Sequence, residues 1–398
     1  MNLTRGPTSL APAPAPATGS APPIPASPDQ PVLSSSRLIG RAGVVTRALL
    51  FHRKRRTAPE LPQRILIAHH LLLGDTLMLT PLLKKLRTVH PGADVAMTVP
   101  SAIAPLYAAR PYGVRALPFD PRRPASALYA EAPFDVALVP GDNRYAWLAA
   151  AMRARWIVAF AGDRPAIKSF AVDQQVPYPG RPGAWGDIVA QLIAGPAASP
   201  YRASEWKAPA HREFMRPARP YAVLHVGASS PLKQWSPQRW AQLAAWLERR
   251  GIAPVWSAGA SETAIVDRID PARRHASYAG RLDLAQVWHL LAGAALLVAP
   301  DTGIAHLGRI VDVPTVALFG PGSAVLCGAG DFWRDARYRA VTVDPFPCRD
   351  QRVLFKRDID WVRRCGRSVA ECPQHLCMPA IGVDAVQDAI VSLLESPR

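Results

Sequence analysis

Short apolar runs recur along this chain, each broken by a polar or glycine-bearing turn and followed by an amphipathic stretch. The clearest case runs from Leu296 to Ser323. Leu296–Ala299 has the length a buried strand needs, and Pro300, Asp301, Thr302 and Gly303 break it and open a short helix through Ile310. Thr315–Phe319 is a second β-rich run, ending in Gly320-Pro321-Gly322. Thr302 is placed to cap the helix with its side chain, leaving the first backbone N–H groups for an anionic or hydroxylated ligand. Thr302 and His306 are four apart and share one helical face.

The same pattern extends in both directions. Arg64–Ala68 predicts a buried strand, His69–Gly74 a loop, and Asp75 the start of a helix that stops at His90-Pro91-Gly92, with a kink or restart at Pro81. Further strands are expected at Asp94–Thr98, Val114–Leu117, Asp135–Pro140 and Trp156–Ala161. After a Pro/Ala-rich linker over 191–220, the series resumes with a strand at Tyr221–Val226 and the turn Gly227-Ala228-Ser229-Ser230. Ser236-Pro237 then reads as an N-cap with proline at the first helical position, and Gly251 ends that helix. Ala253–Ser257 and Ser277–Ala279 are strands, Glu262 lies on a helix between them, and Leu284–Gly293 is a helix. Residues 327–380 look irregular, and Val383–Leu394 is a closing helix. Strand–helix alternation of this kind specifies parallel sheets. The expected class is α/β, with two Rossmann-like doubly wound domains facing a cleft. Residues 61–205 form one domain and 206–398 the other, behind an extension over 1–60.

Composition adds limits. Nearly half of the 398 residues are hydrophobic, enough for two ordinary cores. The net charge is +17, of which residues 1–60 contribute +6 from eight Lys/Arg against two Asp/Glu. Such a chain suits nucleic acid, an anionic membrane or phosphorylated substrates. No helix-turn-helix, RNA-binding or finger signature is present, so we expect no nucleic-acid partner. Residues 1–35 are Pro/Ala/Ser-rich and expected to be disordered. Residues 37–56 interleave Leu, Ile, Val and Phe with arginines. They read either as a basic amphipathic helix on an anionic membrane or as a solvated linker. No run is long enough to span a bilayer, and the N-terminus lacks the order of a secretory signal, so a cytoplasmic location is expected, with peripheral membrane contact as an option. All five cysteines follow residue 326, without a CxxC pair. We read them as free thiols packing a long loop, against a structural metal as the alternative, and expect no cofactor and no metal.

Four sites fall on turns after strands, where this architecture gathers its chemistry. Asp75 is either a carboxylate serving the helix dipole or a general base facing the cleft. Ser229 and Ser230 with Lys233 offer backbone N–H groups, hydroxyls and a point charge to a phosphate, or form a turn with a solvated lysine. Glu262 sits where an acid accepts from ribose, or is a surface residue. Asp301, Thr302, Gly303 and His306 make the fourth site, with His306 equally readable as a core histidine.

Taken together, three stretches resemble glycosyltransferase family 9, the lipopolysaccharide heptosyltransferases and their relatives. They are RILIAHHLLLGDTLMLTPLLKKLR, HVGASSPLKQWSPQRWAQLA and VAPDTGIAHLGRIVDVPTVALFGP, within residues 64–325. The resemblance implies a GT-B fold and a metal-independent, inverting transferase, with 61–205 binding the acceptor and 206–398 the nucleotide sugar. The donor it implies is ADP-heptose and the acceptor a lipid-linked or core oligosaccharide. Asp75 would deprotonate the acceptor hydroxyl. Ser229, Ser230 and Lys233 would hold the donor diphosphate, Lys233 also stabilising the leaving group, and Glu262 the ribose. Asp301 would bind sugar hydroxyls, with Thr302, Gly303 and His306 shaping the pocket and contacting phosphate. An epimerase or hydrolase on the same fold and a non-catalytic sugar-nucleotide-binding scaffold are the alternatives. The loop His69-His70-Leu71-Leu72-Leu73 is bulkier than in many members of the family, and the proline-rich extension is not part of its core.

Overall fold

The structure, a computed structural model, describes residues 34–51, 57–217 and 220–395. The Pro/Ala-rich stretch over 1–33 and the basic cluster at 52–56 lie outside the described residues.

The first sheet holds β1 (Arg64–Ile67), β2 (Asp94–Val99), β3 (Arg115–Pro118), β4 (Val136–Val139), β5 (Trp156–Phe160) and β6 (Gln174–Val176). Its order is β3-β2-β1-β4-β5-β6, all parallel. The second holds β7 (Tyr221–His225), β8 (Ala253–Ser257), β9 (Ala276–Ser277), β10 (Leu296–Pro300), β11 (Thr315–Phe319) and β12 (Tyr338–Thr342). Its order is β12-β11-β10-β7-β8-β9, again parallel. Each sheet therefore winds outward from its first strand in both directions, the doubly wound dinucleotide-fold order. The strand order reverses between β1 and β4, and between β7 and β10. Those two switch points are where such sheets open a crevice at their carboxyl ends.

Central strands are continuous apolar runs because helices cover both sheet faces. Every residue of β7, β10 and β11 is buried. The first sheet carries α1 (Ser34–Phe51), α2 (Leu73–Leu77), α3 (Thr80–Val89), α4 (Ser126–Tyr129), α5 (Tyr145–Ala151) and α6 (Trp185–Val189). The second carries α7 (Pro237–Glu248), α8 (Thr263–Ile269), α9 (Leu284–Ala292), α10 (Gly303–Val311), α11 (Ala324–Cys327) and α12 (Val383–Glu395).

Local signals account for several boundaries. The helix after β1 breaks at Met78-Leu79 and restarts with Pro81 in the first turn of α3, where its missing N–H costs nothing. Ser236 Oγ accepts from Arg239 N at the start of α7, and Gly251 adopts φ 72° just beyond its end.

Two expectations needed correction. Residues 327–380 are not uniformly irregular: they contain β12, the sixth strand of the second sheet, and a hairpin of β13 (Val353–Leu354) and β14 (Arg357–Asp358). The linker over 191–220 is not loose either. Trp206 is buried against Tyr107 and Trp288, and Tyr201 donates to Ile310 O at 2.7 Å.

The hairpin forms a strap from the second half to the first. Arg357 is 2% exposed, and its side chain donates to Ala161 O (2.9 Å), Gly141 O (2.8 Å), Phe355 O (3.1 Å), Asn143 Oδ1 (2.6 Å) and Phe160 O (3.1 Å). All five guanidinium donors are thereby used. Phe355 packs on Trp185 with ring centroids 5.1 Å apart.

Candidate active site

The two switch points face each other through α2 and α10, which pack together. Their approach depends on glycines. A Cβ on Gly74 would meet His306 Cδ2 at 2.8 Å, and one on Gly303 would meet the Leu73 side chain at 2.8 Å. Any larger residue would wedge the helices apart, so both positions require hydrogen for want of space rather than for backbone freedom.

Between the sheets lies a cavity of about 600 Å3. This is within the range of small-molecule and cofactor sites. Its walls bring together Asp75, Ser229, Ser230, Lys233, Glu262, Asp301, Thr302, Gly303 and His306. Every site residue singled out in the sequence thus reaches one space.

Asp75 sits in the first turn of α2. Burial, reinforced by the nearby Asp301 carboxylate, pushes its carboxyl up to about 6, while Lys233 and Arg364 pull the other way. A carboxylate so poised is ionised at neutral pH and is a better base than an ordinary one. Lys233 Nζ donates to Asp301 Oδ2 at 2.9 Å and to Asp301 O at 2.8 Å. Burial disfavours its charge, but the Asp301 ion pair and hydrogen bond outweigh that and hold the amine above its usual value.

At the start of α10, Thr302 occupies the N-cap position with extended backbone, but its hydroxyl makes no capping bond. The expected side-chain cap is absent although the backbone is in the extended region usual for an N-cap, and Oγ1 is buried without a partner. The first N–H groups of α10 are accordingly without the side-chain acceptor that usually serves them. His306 is buried, and its Nδ1 faces Arg309 Nη2. Burial, then Arg309 and Lys233, hold the imidazole well below its ordinary value, so it is neutral. It shapes the wall behind Gly74 rather than adding charge.

Glu262 precedes α8 instead of lying within it, and both of its oxygens are engaged. Oε1 accepts from Ala228 N at 2.7 Å and Oε2 from Gly259 N at 2.9 Å. The carboxylate ties the turn after β7 to the turn after β8. Each oxygen keeps a further lone pair for a hydroxyl donor. Ser230 Oγ accepts from Leu232 N at 3.3 Å, and Ser229 is exposed in the same turn.

His69 is a loop staple. Its backbone N–H donates to Thr98 Oγ1 and its Nδ1 accepts from Leu71 N. Burial, with a smaller push from His70, lowers its pKa to about 3.

The sequence reading missed the far wall. Leu354, Phe355, Arg364, Cys365 and Arg367 come from the strap region, and Trp185 from α6. No periodicity marks the strap; arginines scattered among apolar residues over 352–367 were the only signal. Cys327 and Cys377 are packed in, and burial raises both thiols. Among the described residues, no three His, Cys, Asp or Glu side chains are grouped to hold a metal ion.

Comparison with known proteins agrees with this geometry. Residues 128–344, more than half of the chain, match the model of glycosyltransferase family 9 (heptosyltransferase). Lipopolysaccharide heptosyltransferase 1 of Pseudomonas aeruginosa is 27% identical over 296 residues, covering 67% of this chain and 81% of that protein. A family 9 glycosyl transferase from Veillonella parvula superposes with a TM-score of 0.65 at 18% identity, covering 85% of this chain and 99% of that one. The ADP-heptose lipopolysaccharide heptosyltransferase II of E. coli superposes with a TM-score of 0.61 at 18% identity, covering 83% and 98%. With that family match laid over two doubly wound sheets and their shared cavity, this chain belongs to glycosyltransferase family 9, the heptosyltransferases, and is a glycosyltransferase.

Proposed function

We propose that this enzyme transfers heptose from ADP-heptose to a lipopolysaccharide core or related lipid-linked glycan, in one inverting displacement without a metal ion. Asp75 takes the acceptor hydroxyl proton as that oxygen bonds to the anomeric carbon. The bond from that carbon to the donor's phosphate oxygen breaks, and its electron pair leaves with ADP. The observation that carries this reading is the position of Asp75, its carboxyl raised to about 6, across one cavity from the Lys233–Asp301 pair and the start of α10. A base on one side and a charge-stabilising surface on the other suit a single displacement, which inverts the carbon attacked.

The remaining roles follow from the same arrangement. Ser229, Ser230, Lys233 and the first N–H groups of α10 hold the diphosphate and stabilise the leaving charge. Glu262 accepts from the ribose through its remaining lone pairs, and Asp301 from hydroxyls of the transferred sugar. Thr302, with its unpartnered Oγ1, and Gly303 contact phosphate, and His306 shapes the pocket. Residues 61–205 form the acceptor side and 206–398 the donor side. Purified protein incubated with ADP-heptose and core oligosaccharide should release ADP, keep its rate in EDTA, and give a product inverted at the anomeric carbon by NMR. Absence of ADP release with any core acceptor would sink the donor assignment.

We propose that the reaction takes place at the cytoplasmic face of the inner membrane, with α1 as the contact. No described helix is long and apolar enough to cross a membrane. One face of α1 packs along α5, with Ala48 fully buried and Arg47 Nε donating to Ala151 O at 3.0 Å. The other face exposes Val45, Leu49 and Leu50, the last at 76%, and the chain continues directly into Arg53-Lys54-Arg55-Arg56. An apolar face followed in sequence by four cations matches an anionic bilayer surface, each cation contributing about 1 kcal/mol. In vesicle co-sedimentation the protein should bind phosphatidylglycerol-containing vesicles and lose that binding in high salt. Leu50→Ser should weaken it about tenfold, consistent with losing one buried leucine side chain. Equal binding to pure phosphatidylcholine vesicles would refute the contact.

A further inference from the structure

We propose that Arg364, just beyond the strap, is an anion subsite of the catalytic cleft: its guanidinium takes a phosphate or carboxylate oxygen of a bound substrate in the cavity that Asp75 also lines. This rests on the reading of the cavity as the site of sugar transfer.

Three basic side chains line the cavity: Lys233, Arg364 and Arg367. Two are already committed. Lys233 is paired with Asp301 at 2.9 Å, and Arg367 holds both oxygens of Asp350 at 3.0 Å each. The Arg364 guanidinium has no hydrogen bond or ion pair among the described residues, although the residue is half-buried. A half-buried guanidinium without a partner is unfavourable by itself, and an arriving oxyanion removes that cost.

The backbone beneath it is fixed. Arg364 N donates to Gln351 O at 3.2 Å and Gln351 N to Arg364 O at 3.0 Å. The next residue's N–H, on Cys365, donates to Pro321 O at 2.9 Å, in the turn after β11. The side chain therefore projects from an anchored point, close enough to Asp75 for its charge to act on that carboxyl. Its planar fork suits two oxygens of one phosphate or carboxylate. In this cleft such an anion has two sources, the donor's diphosphate and an acidic group on the acceptor.

Arg364→Gln and Arg364→Lys separate them. ADP binding is measured by calorimetry, and the acceptor KM is measured with native core oligosaccharide and with the same oligosaccharide after its carboxylates are amidated. If the diphosphate is the ligand, Arg364→Gln weakens ADP binding about tenfold, the scale of one charge-assisted pair, and Arg364→Lys recovers part of it. If the acceptor's acid is the ligand, ADP binding is unchanged. The KM for native acceptor then rises about tenfold, while that for amidated acceptor does not respond to the substitution. ADP affinity and both KM values within twofold of wild type overturn the subsite. Should wild-type protein bind no ADP, the donor assignment fails separately. Calorimetry with inorganic pyrophosphate then decides the subsite, through weaker binding to Arg364→Gln than to wild type or equal binding to both.

Discussion

Asp75→Asn is expected to remove nearly all turnover while making the protein more stable at neutral pH. The amide keeps the carboxylate's shape but cannot accept a proton, and loss of a positioned general base costs about 10²–10⁴ in kcat. In wild type, kcat/KM should rise tenfold per pH unit below about 6 and level off above it, because the base works only when ionised. The stability change has the opposite sense. The Asp75 carboxyl is raised from 3.8 to about 6 in the folded protein, so the proton is held more tightly there than in the unfolded chain. The stabilisation this gives is complete below 3.8 and is lost as pH rises through about 6, leaving a strained carboxylate at neutral pH. The penalty at pH 7.5 is at most about 3 kcal/mol, less what solvent in the open cleft screens. Thermal melts should show the variant a few degrees above wild type at pH 7.5 and level with it near pH 4. A variant that keeps wild-type turnover removes Asp75 as the base. One less stable at pH 7.5 removes the electrostatic account.

The largest loss of stability is expected at Arg357. Methionine there fills much of the same volume but leaves the carbonyl oxygens of Ala161, Gly141 and Phe355 and Asn143 Oδ1 without their donor, while Phe160 O keeps the Asn143 amide. Asp163, at 3.8 Å and with its side chain fully buried, loses a neighbouring positive charge, although Lys168 still pairs with it at 2.8 Å. Breaking such a buried polar network costs about 3–5 kcal/mol. Urea denaturation should show it as a lower midpoint, and limited proteolysis should cut first within 345–366. A change below about 1 kcal/mol would mean that the strap is held by Phe355 and its apolar neighbours instead.

The elements legible in the sequence were those with a strong repeating signal. The strands before Asp75, Ser229 and Asp301 are short unbroken apolar runs, and each ends in a turn whose composition marks it. Because both sheets wind outward from β1 and β7, residues far apart in sequence had to converge once the class was right. What stayed hidden lacked periodicity or depended on partners. β6 and β12 are sheet-edge strands, and β12 alternates only weakly between buried and exposed positions. Thr302 has the right residue type for a cap, but its hydroxyl makes no capping bond, which only the side-chain position could reveal. Glu262 read by itself as a surface residue as readily as a ribose ligand, and only the family resemblance favoured the ribose. Its grip on two turns came only with coordinates. Arg364 could not be found at all, because an unpaired cation is defined by what its neighbours are already doing.

The contact of Gly74 with His306 and of Gly303 with Leu73 has a consequence for how this scaffold can be altered. The close approach of the helix that carries Asp75 to the helix that follows Asp301 depends on two missing methyl groups. A single methyl at either position acts as a shim and resets the reach of the chemistry. Grafting either half onto a foreign partner must therefore match a bare glycine surface before it matches anything about the substrate.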